Sequence, residues 1–321
     1  MTLRKSLSCW IGLLLLACAC GTAAYAQQRE EIRRTIDLNP GATVSLDNIS
    51  GNITISSWAR TQAEMVAIKT GAADKIKEVE ISIEAQPSHL SIETVYPKKR
   101  NNNVSVSFEL KVPRNVNLDS IKSVSGSIRI TDIDGRVEAH SVSGDVEAQR
   151  IGKDTTVDSV SGNVKVQEIG GRASANTVSG NANAANIKGD LDLKSVSGSV
   201  QINTSDGYVK GESISGNIAV SDGNCTGLKV STVSGAVQYD GKLVPSGRYE
   251  LVSHSGSVVV NLPADSNFTL EASTFSGSIK SDFDIKVRGT SGTKSINGTV
   301  GSGGATVKLN SFSGSVGIRR K

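Results

Sequence analysis

From residue 124 onward the apolar positions follow a fixed rhythm. Val124, Ile128, Ile130, Ile133, Val137 and Ala139 form one set; Val160, Val164, Val166, Ile169, Ala173 and Ala175 form another, and Val178, Ala182, Ala184, Ile187, Leu191 and Leu193 a third. Within each set the residues lie mostly two apart, the spacing that puts alternate side chains on one face of a strand. Helical spacing is absent from these repeats. Each unit therefore reads as two short strands, one around a Ser-Gly pair and one late in the unit. They are joined by a turn such as Ile133-Asp134-Gly135, Ile169-Gly170-Gly171 or Ile187-Lys188-Gly189, where glycine is expected to supply a positive φ.

The Ser-Gly glycines stand at 126, 144, 162, 180, 198 and 216, five equal intervals of 18 residues. The spacing then loosens through Gly235, Gly256 and Gly277 to a last pair at Gly314, and an early copy occurs at Ile49-Ser50-Gly51-Asn52-Ile53. Repeats of this length with aligned columns predict a β-solenoid, each repeat forming one coil. The fold class expected is all-β: a single-chain, β-helix-like solenoid with 18-residue coils and less regular β ends. At about 4.8 Å per coil, six regular coils span roughly 29 Å. The column Val124, Val142, Val160, Val178, Val196, Ile214 and Val233 is expected to form an interior aliphatic ladder. On that reading Val160→Asp buries an unpaired charge and unfolds the coils. The column after each glycine, Ser127, Asp145, Asn163, Asn181, Ser199 and Asn217, is small and polar and is expected to face solvent.

The flanks divide the chain into a leader at 1–26, an N-terminal β region at 27–122, regular repeats at 123–232 and a C-terminal solenoid region at 233–321. Strands are expected at Glu80 to Ala85, His89 to Val95 and Val104 to Val112. Trp58 is expected to cap the end of a stack, and the basic segment 98–103 to form a solvated hairpin tip. Arg319-Arg320-Lys321 would close the last strand with charges that discourage further strand addition.

The leader carries Arg4 and Lys5, the apolar run Ile11 to Ala17 and the small-x-small pattern Ala24-Tyr25-Ala26, the features of a secretory signal. Its apolar run is too short to span a bilayer. Leu15-Leu16-Ala17-Cys18 also resembles a lipobox, so acylation of Cys18 and cleavage after Ala26 both stay open. Either implies export, to the periplasm, the outer membrane, the cell surface or the medium. Lys and Arg number 35 and Asp and Glu 31; removing Arg4 and Lys5 leaves 33 against 31, a net +2 that is no nucleic-acid footprint. Of four cysteines only Cys225 lies beyond the leader, so the mature fold has no internal disulfide. Aromatic residues at 4% argue for a narrow core of Val, Ile, Leu and Ala rather than a wide globular one. No second long apolar segment follows the leader.

Catalytic patterns are scarce. His89, His140 and His254 are far apart and form no zinc motif, and neither a Gly-x-Ser-x-Gly elbow nor a phosphate loop occurs. Asp134-Gly135, Asp206-Gly207 and Asp222-Gly223 fall at turns without the Gly-Gly-x-Gly-x-Asp nonapeptide of calcium β-rolls. Acidic residues do not recur in one column as a polysaccharide-cleaving groove requires. No catalytic residue, metal ligand or cofactor is assigned, and Cys225 reads as a buried, inert thiol. The column from Ser127 to Asn217 is the candidate binding surface, a row of hydrogen-bonding groups able to meet a repetitive ligand such as a glycan.

Several features together resemble the bacterial DUF4097 family of adhesin-like proteins with β-strand repeats. They are the early Ile49-Ser50-Gly51-Asn52-Ile53 copy followed by Trp58, the Val112-Pro113 step, and the Val-Ser-Gly units. Gly247-Arg248-Tyr249 before His254-Ser255-Gly256-Ser257-Val258 belongs with them, as do Phe275-Ser276-Gly277-Ser278-Ile279 and Phe312-Ser313-Gly314-Ser315-Val316. The resemblance spans roughly residues 40–321 and implies a β-repeat fold and adhesion, with no catalytic residues to carry across. The function expected is a non-enzymatic cell-envelope or surface protein, an adhesin or binding scaffold for a glycan, a surface or an envelope protein. A periplasmic structural or signalling-associated protein without external ligand is the alternative, with a carbohydrate-active β-helix enzyme behind it.

Overall fold

A computed structural model describes residues 28–97, 103–287 and 294–321. The leader, including Cys18, and most of the basic segment lie outside the described residues. The chain is a two-sheeted β-solenoid. Sheet I has fourteen strands and sheet II fifteen. Two antiparallel pairings close one end of sheet I, and three antiparallel edge strands lie at the ends of sheet II, which leaves twelve parallel strands stacked in each.

One regular coil shows the construction. Val137–Ser143 lies in sheet II, the chain turns at Gly144 and Asp145, and Val146–Ile151 returns in sheet I. The next coil repeats this with Thr155–Ser161 and Val164–Ile169, in parallel register 18 residues on (Val146 beside Val164, Ala148 beside Val166). Val137, Ala139, Val146, Ala148 and Ile151 and their equivalents point between the sheets and are fully buried. The layer thins to Ala173, Ala175, Ala182 and Ala184 midway along the stack, consistent with so few aromatic residues.

The interior ladder is not the one the sequence suggests. Val124, Val142, Val160, Val178, Val196, Ile214 and Val233 are 39–51% exposed. The buried position is the hydroxyl residue before each of them: Ser123, Ser141, Ser159, Thr177, Ser195, Ser213 and Thr232. Its Oγ donates to the corner glycine carbonyl of the preceding coil: Ser159 to Gly144 at 2.8 Å, Thr177 to Gly162 at 2.8 Å, Ser195 to Gly180 at 2.9 Å and Ser213 to Gly198 at 3.0 Å. The corner glycine is sterically required, since a Cβ on Gly162 would sit 2.2 Å from the Gly144 carbonyl oxygen. Asn48 ends this ladder, bonding Ser50, Gly51 and Val106 carbonyls and accepting from Thr94 Oγ1. Its hold on Gly51 O occupies the acceptor that Ser123 would use, and Ser123 Oγ is left unpaired.

The second corner also departs from expectation. Left-handed φ values fall on Asp132, Arg150, Glu168, Asn186 and Thr204, at 63°, 54°, 56°, 57° and 51°, one residue before each buried Ile or Ser. The turn glycines serve contact instead: a Cβ on Gly135 would lie 2.0 Å from Val116 O. Arg150 bonds both oxygens of Asp132, at 2.6 and 3.0 Å, and so holds that carboxyl below the usual carboxylate range.

Chain order and spatial order diverge at the ends. Thr43–Ser50 lies between His89–Val95 and Asn117–Ser125, and Ser105–Pro113 covers Ile53–Trp58 in sheet I. Trp58 is therefore not at the sheet's end; Arg60 lies 4.6 Å from its ring centre and its Nε1 donates to Gln62 O. At the other end Ala305–Ser311 lies between Arg248–Ser255 and Phe268–Thr274, and Val316–Arg320 between Val258–Leu262 and Ile279–Ser281. Arg319 and Arg320 thus sit within the stack, and antiparallel Ser295–Val300 covers the outer edge of Phe268–Thr274. The anticipated strands appear as Glu80–Gln86, His89–Val95 and Ser105–Pro113. Cys225 is fully buried, and burial pushes its thiol pKa up to about 11.

Two stability measurements check this account. Ser159→Ala strands the buried Gly144 carbonyl and is expected to cost about 1–3 kcal/mol in urea unfolding, whereas Val160→Asp, at a half-exposed position, costs about 1 kcal/mol or less. The opposite ranking would restore the interior-valine reading. Thr204→Gly relieves a left-handed β-branched residue and is expected to gain about 0.5–1 kcal/mol. Asn186→Gly gains less, because asparagine tolerates that region; equal gains would show that the backbone there is unstrained.

Candidate binding face

Exposure of the valine column follows from strand parity. Sheet II strands point Val137, Ala139 and Ser141 inward, so Glu138, His140 and Val142 face outward. Parallel stacking aligns each with its equivalents. One outer column runs Asp47, Lys122, His140, Asp158, Asn176, Lys194 and Glu212. Beside it runs the apolar column, extended at one end by Ile49 and Val95 and at the other by His254, Phe312 and Phe275. The His254 and Phe312 rings stack at 4.8 Å and 4°, and Phe312 and Phe275 at 4.8 Å and 3°. Twelve coil positions at about 4.8 Å give an exposed stripe roughly 53 Å long, apolar except at His254.

Between the two columns lies an open groove of about 800 Å³, lined by Val124 to Val196 on one side and Lys122, His140, Asp158, Asn176 and Lys194 on the other. Both ring nitrogens of His140 lie 2.9 Å from carboxylates, Nδ1 from Asp158 and Nε2 from Glu138. The hydroxyls of Ser141 and Ser159 are spent on glycine carbonyls. His140 thus has both ring nitrogens engaged, and Ser123, the hydroxyl of this row left unpaired, is buried beneath the groove. Among the described residues no group of three or more His, Cys, Asp or Glu is placed to hold a metal ion. An isolated row of surface valines would be ordinary, but a continuous one of this length is not.

The polar column chosen from the sequence lies at the first corner, on the far side of the glycines. Its residues are exposed or half-exposed, and most are engaged in joining coils. Ser127 Oγ accepts from the Asp145 amide at 3.3 Å, Asp145 Oδ1 from that of Asn163 at 2.7 Å, Asn163 Oδ1 from that of Asn181 at 2.9 Å and Asn181 Oδ1 from that of Ser199 at 2.9 Å. Asn217 Oδ1 does the same for Ala236 at 2.8 Å. Sequence reasoning missed the outward valines and the charged column beside them. The available signal was the hydroxyl residue recurring immediately before each valine, which competes for the inward position.

No helix among the described residues is long and apolar enough to cross a membrane. No curated protein matches the chain. Several solved structures align with the chain at low identity and low TM-score. A candidate adhesin from Bacteroides fragilis is 12% identical, with 90% of this chain and 97% of that one covered and a TM-score of 0.35. A candidate lipid-binding protein from Parabacteroides distasonis is 14% identical, over 90% and 96%, with a TM-score of 0.38. A candidate cell adhesion protein from Clostridium sporogenes is 12% identical, over 92% and 100%, with a TM-score of 0.27. The family described as Toastrack DUF4097 matches residues 51–211 and 173–319, nearly the whole of the repeat stack. The chain belongs to the Toastrack DUF4097 family.

Proposed function

We propose that this protein is an exported, non-enzymatic binding scaffold of the cell envelope, and that the outer face of sheet II is where it docks. The apolar column from Val95 to Phe275, interrupted at His254, carries the reading. Burying such side chains against a partner gains about 25 cal/mol per Å² of apolar surface, and a rigid solenoid loses little entropy in presenting them. The neighbouring column supplies charges that set orientation without contributing most of the affinity. Partners on this reading are envelope proteins or surfaces with an extended apolar strip. The polar ridge from Ser127 to Asn217 suits a glycan less well, because its side-chain oxygens already accept bonds from the next coil.

Binding of residues 27–321 to isolated envelope fractions and to a glycan array, at low and high salt, tests the assignment. Envelope binding that survives high salt and falls at least tenfold in the triple variant Val142→Ser, Val160→Ser, Val178→Ser is expected, with the melting temperature nearly unchanged. The triple variant Asn163→Ala, Asn181→Ala, Asn217→Ala is expected to bind as wild type but to melt lower, since each side chain removed leaves a backbone amide without its acceptor. Loss of glycan binding in the asparagine variant, with the valine variant unaffected, would move the site to the polar ridge.

A further inference from the structure

We infer that the apolar column is the contact face of a homodimer, in which two copies pack sheet II against sheet II with their long axes antiparallel and a two-fold axis at Asn176 and Val178. This rests on the reading of that column as a docking face and names a second copy as its first occupant, so that envelope binding through the same face competes with self-pairing. A two-fold axis running along the strands sets each outer column against the same column of the second copy while reversing the order of coils. The partner of any coil is then its mirror position about the axis.

The charges on the face fit that operation at one register. With the axis at Asn176, Asp158 of one copy faces Lys194 of the other, and His140 faces Glu212. In the next column Glu138 faces Lys210. The column registers behind these pairings are those of the parallel ladders themselves. Each of these groups is at least partly exposed, and the carboxylates and lysines can take a further partner beside those within their own chain, whereas His140, with both ring nitrogens already engaged, meets Glu212 without a new hydrogen bond. Sliding one copy by a coil in one direction keeps an opposite pair, Glu138 with Lys229, but sets Asp158 against Glu212; sliding it the other way pairs Lys122 with Glu212 but sets Glu138 against Asp192. Each neighbouring register thus offsets an attractive pair with a repulsive one, and the register with its axis at Asn176 is favoured because its facing charges are opposite.

The apolar column obeys the same symmetry. Val178 meets its twin, Val160 meets Val196, Val142 meets Ile214 and Val124 meets Val233. Further out Ile49 reaches His254 and Val95 reaches Phe312, so only Phe275 overhangs. A strip about 48 Å long and three columns, roughly 13 Å, wide projects on the order of 600 Å² per copy. Side-chain relief carries that to the roughly 800 Å² per partner of a standard stable interface.

Sedimentation equilibrium of residues 27–321 is the first measurement, with charge exchange as the decisive one. The wild type is expected to be dimeric. Lys194→Asp alone sets Asp against Asp at both symmetric contacts, Asp158→Lys alone sets Lys against Lys, and each is expected to raise the dissociation constant at least tenfold with an unchanged melting temperature. Mixing the two single variants restores both pairs in a heterodimer, and combining them in one chain restores the homodimer.

A monomeric wild type at high micromolar concentration would overturn the proposal, as would a dimer indifferent to the charge reversals or a mixture that fails to reassociate. If the wild type is monomeric yet the valine-to-serine variant loses envelope binding, self-pairing falls and the docking reading stands. If that variant binds as wild type, both fall. Flotation of a monomeric wild type with phosphatidylcholine and phosphatidylglycerol vesicles would assign the face to a lipid surface instead.

Discussion

The hydrogen bond from a buried Ser or Thr hydroxyl to the corner glycine carbonyl of the preceding coil is the contact on which the rest of the stack depends. At the corner the chain leaves one sheet for the other, and the glycine carbonyl points into the stack. An acceptor buried without a partner costs about 1–3 kcal/mol, and the cost would recur at every coil. The hydroxyl removes it from the next coil, using the side chain three residues before that coil's own corner glycine. Because that residue must point inward, the next one must point outward. The exposed valine column is thus a geometric consequence of satisfying the corner.

Much of this architecture was legible in the sequence. The 18-residue interval, the two strands per unit and the glycine corners followed from counting, and the strands near residues 80, 89 and 105 from alternation. The orientation of Val124 and its equivalents was not legible by the same means. Counting in twos from Ile128 back through Gly126 assigns Val124 to the interior. The corner, however, shifts the phase by one residue, so Ser123 and Ile128, five apart, share the inner face. A hydrophobicity rule prefers valine over serine at a buried position; the unpaired carbonyl reverses that preference. The positive φ was likewise displaced, onto Asp132 and its equivalents rather than the glycines.

The candidate site was legible only in part. Sequence could show that Ser127 to Asn217 form a column, but not that their oxygens accept from backbone amides one coil away. The same 18-residue count stacks Lys122, His140, Asp158, Asn176, Lys194 and Glu212, but their charge pattern gains meaning only once the inward serines show that this column faces outward beside the valines. The partners of a repeat protein are recognised along its axis, a direction the chain itself crosses once per coil.

The out-of-order coils at the two ends bear on how the molecule comes to be assembled. A solenoid whose coils stack in chain order can grow by accretion, each coil templated on the one before. Here Ala305–Ser311 and Val316–Arg320 must enter between Val258–Leu262 with its sheet II partner and the strands of residues 268–281. Accretion halts at Leu262 until a segment some fifty residues later arrives, and the strands at 268–281 can dock only on top of it. Such long-range closure slows folding but locks its product. The outermost coil there, 268–281, is tethered at both ends to strands deeper in the stack, so it opens as a closed loop and not as a free chain end.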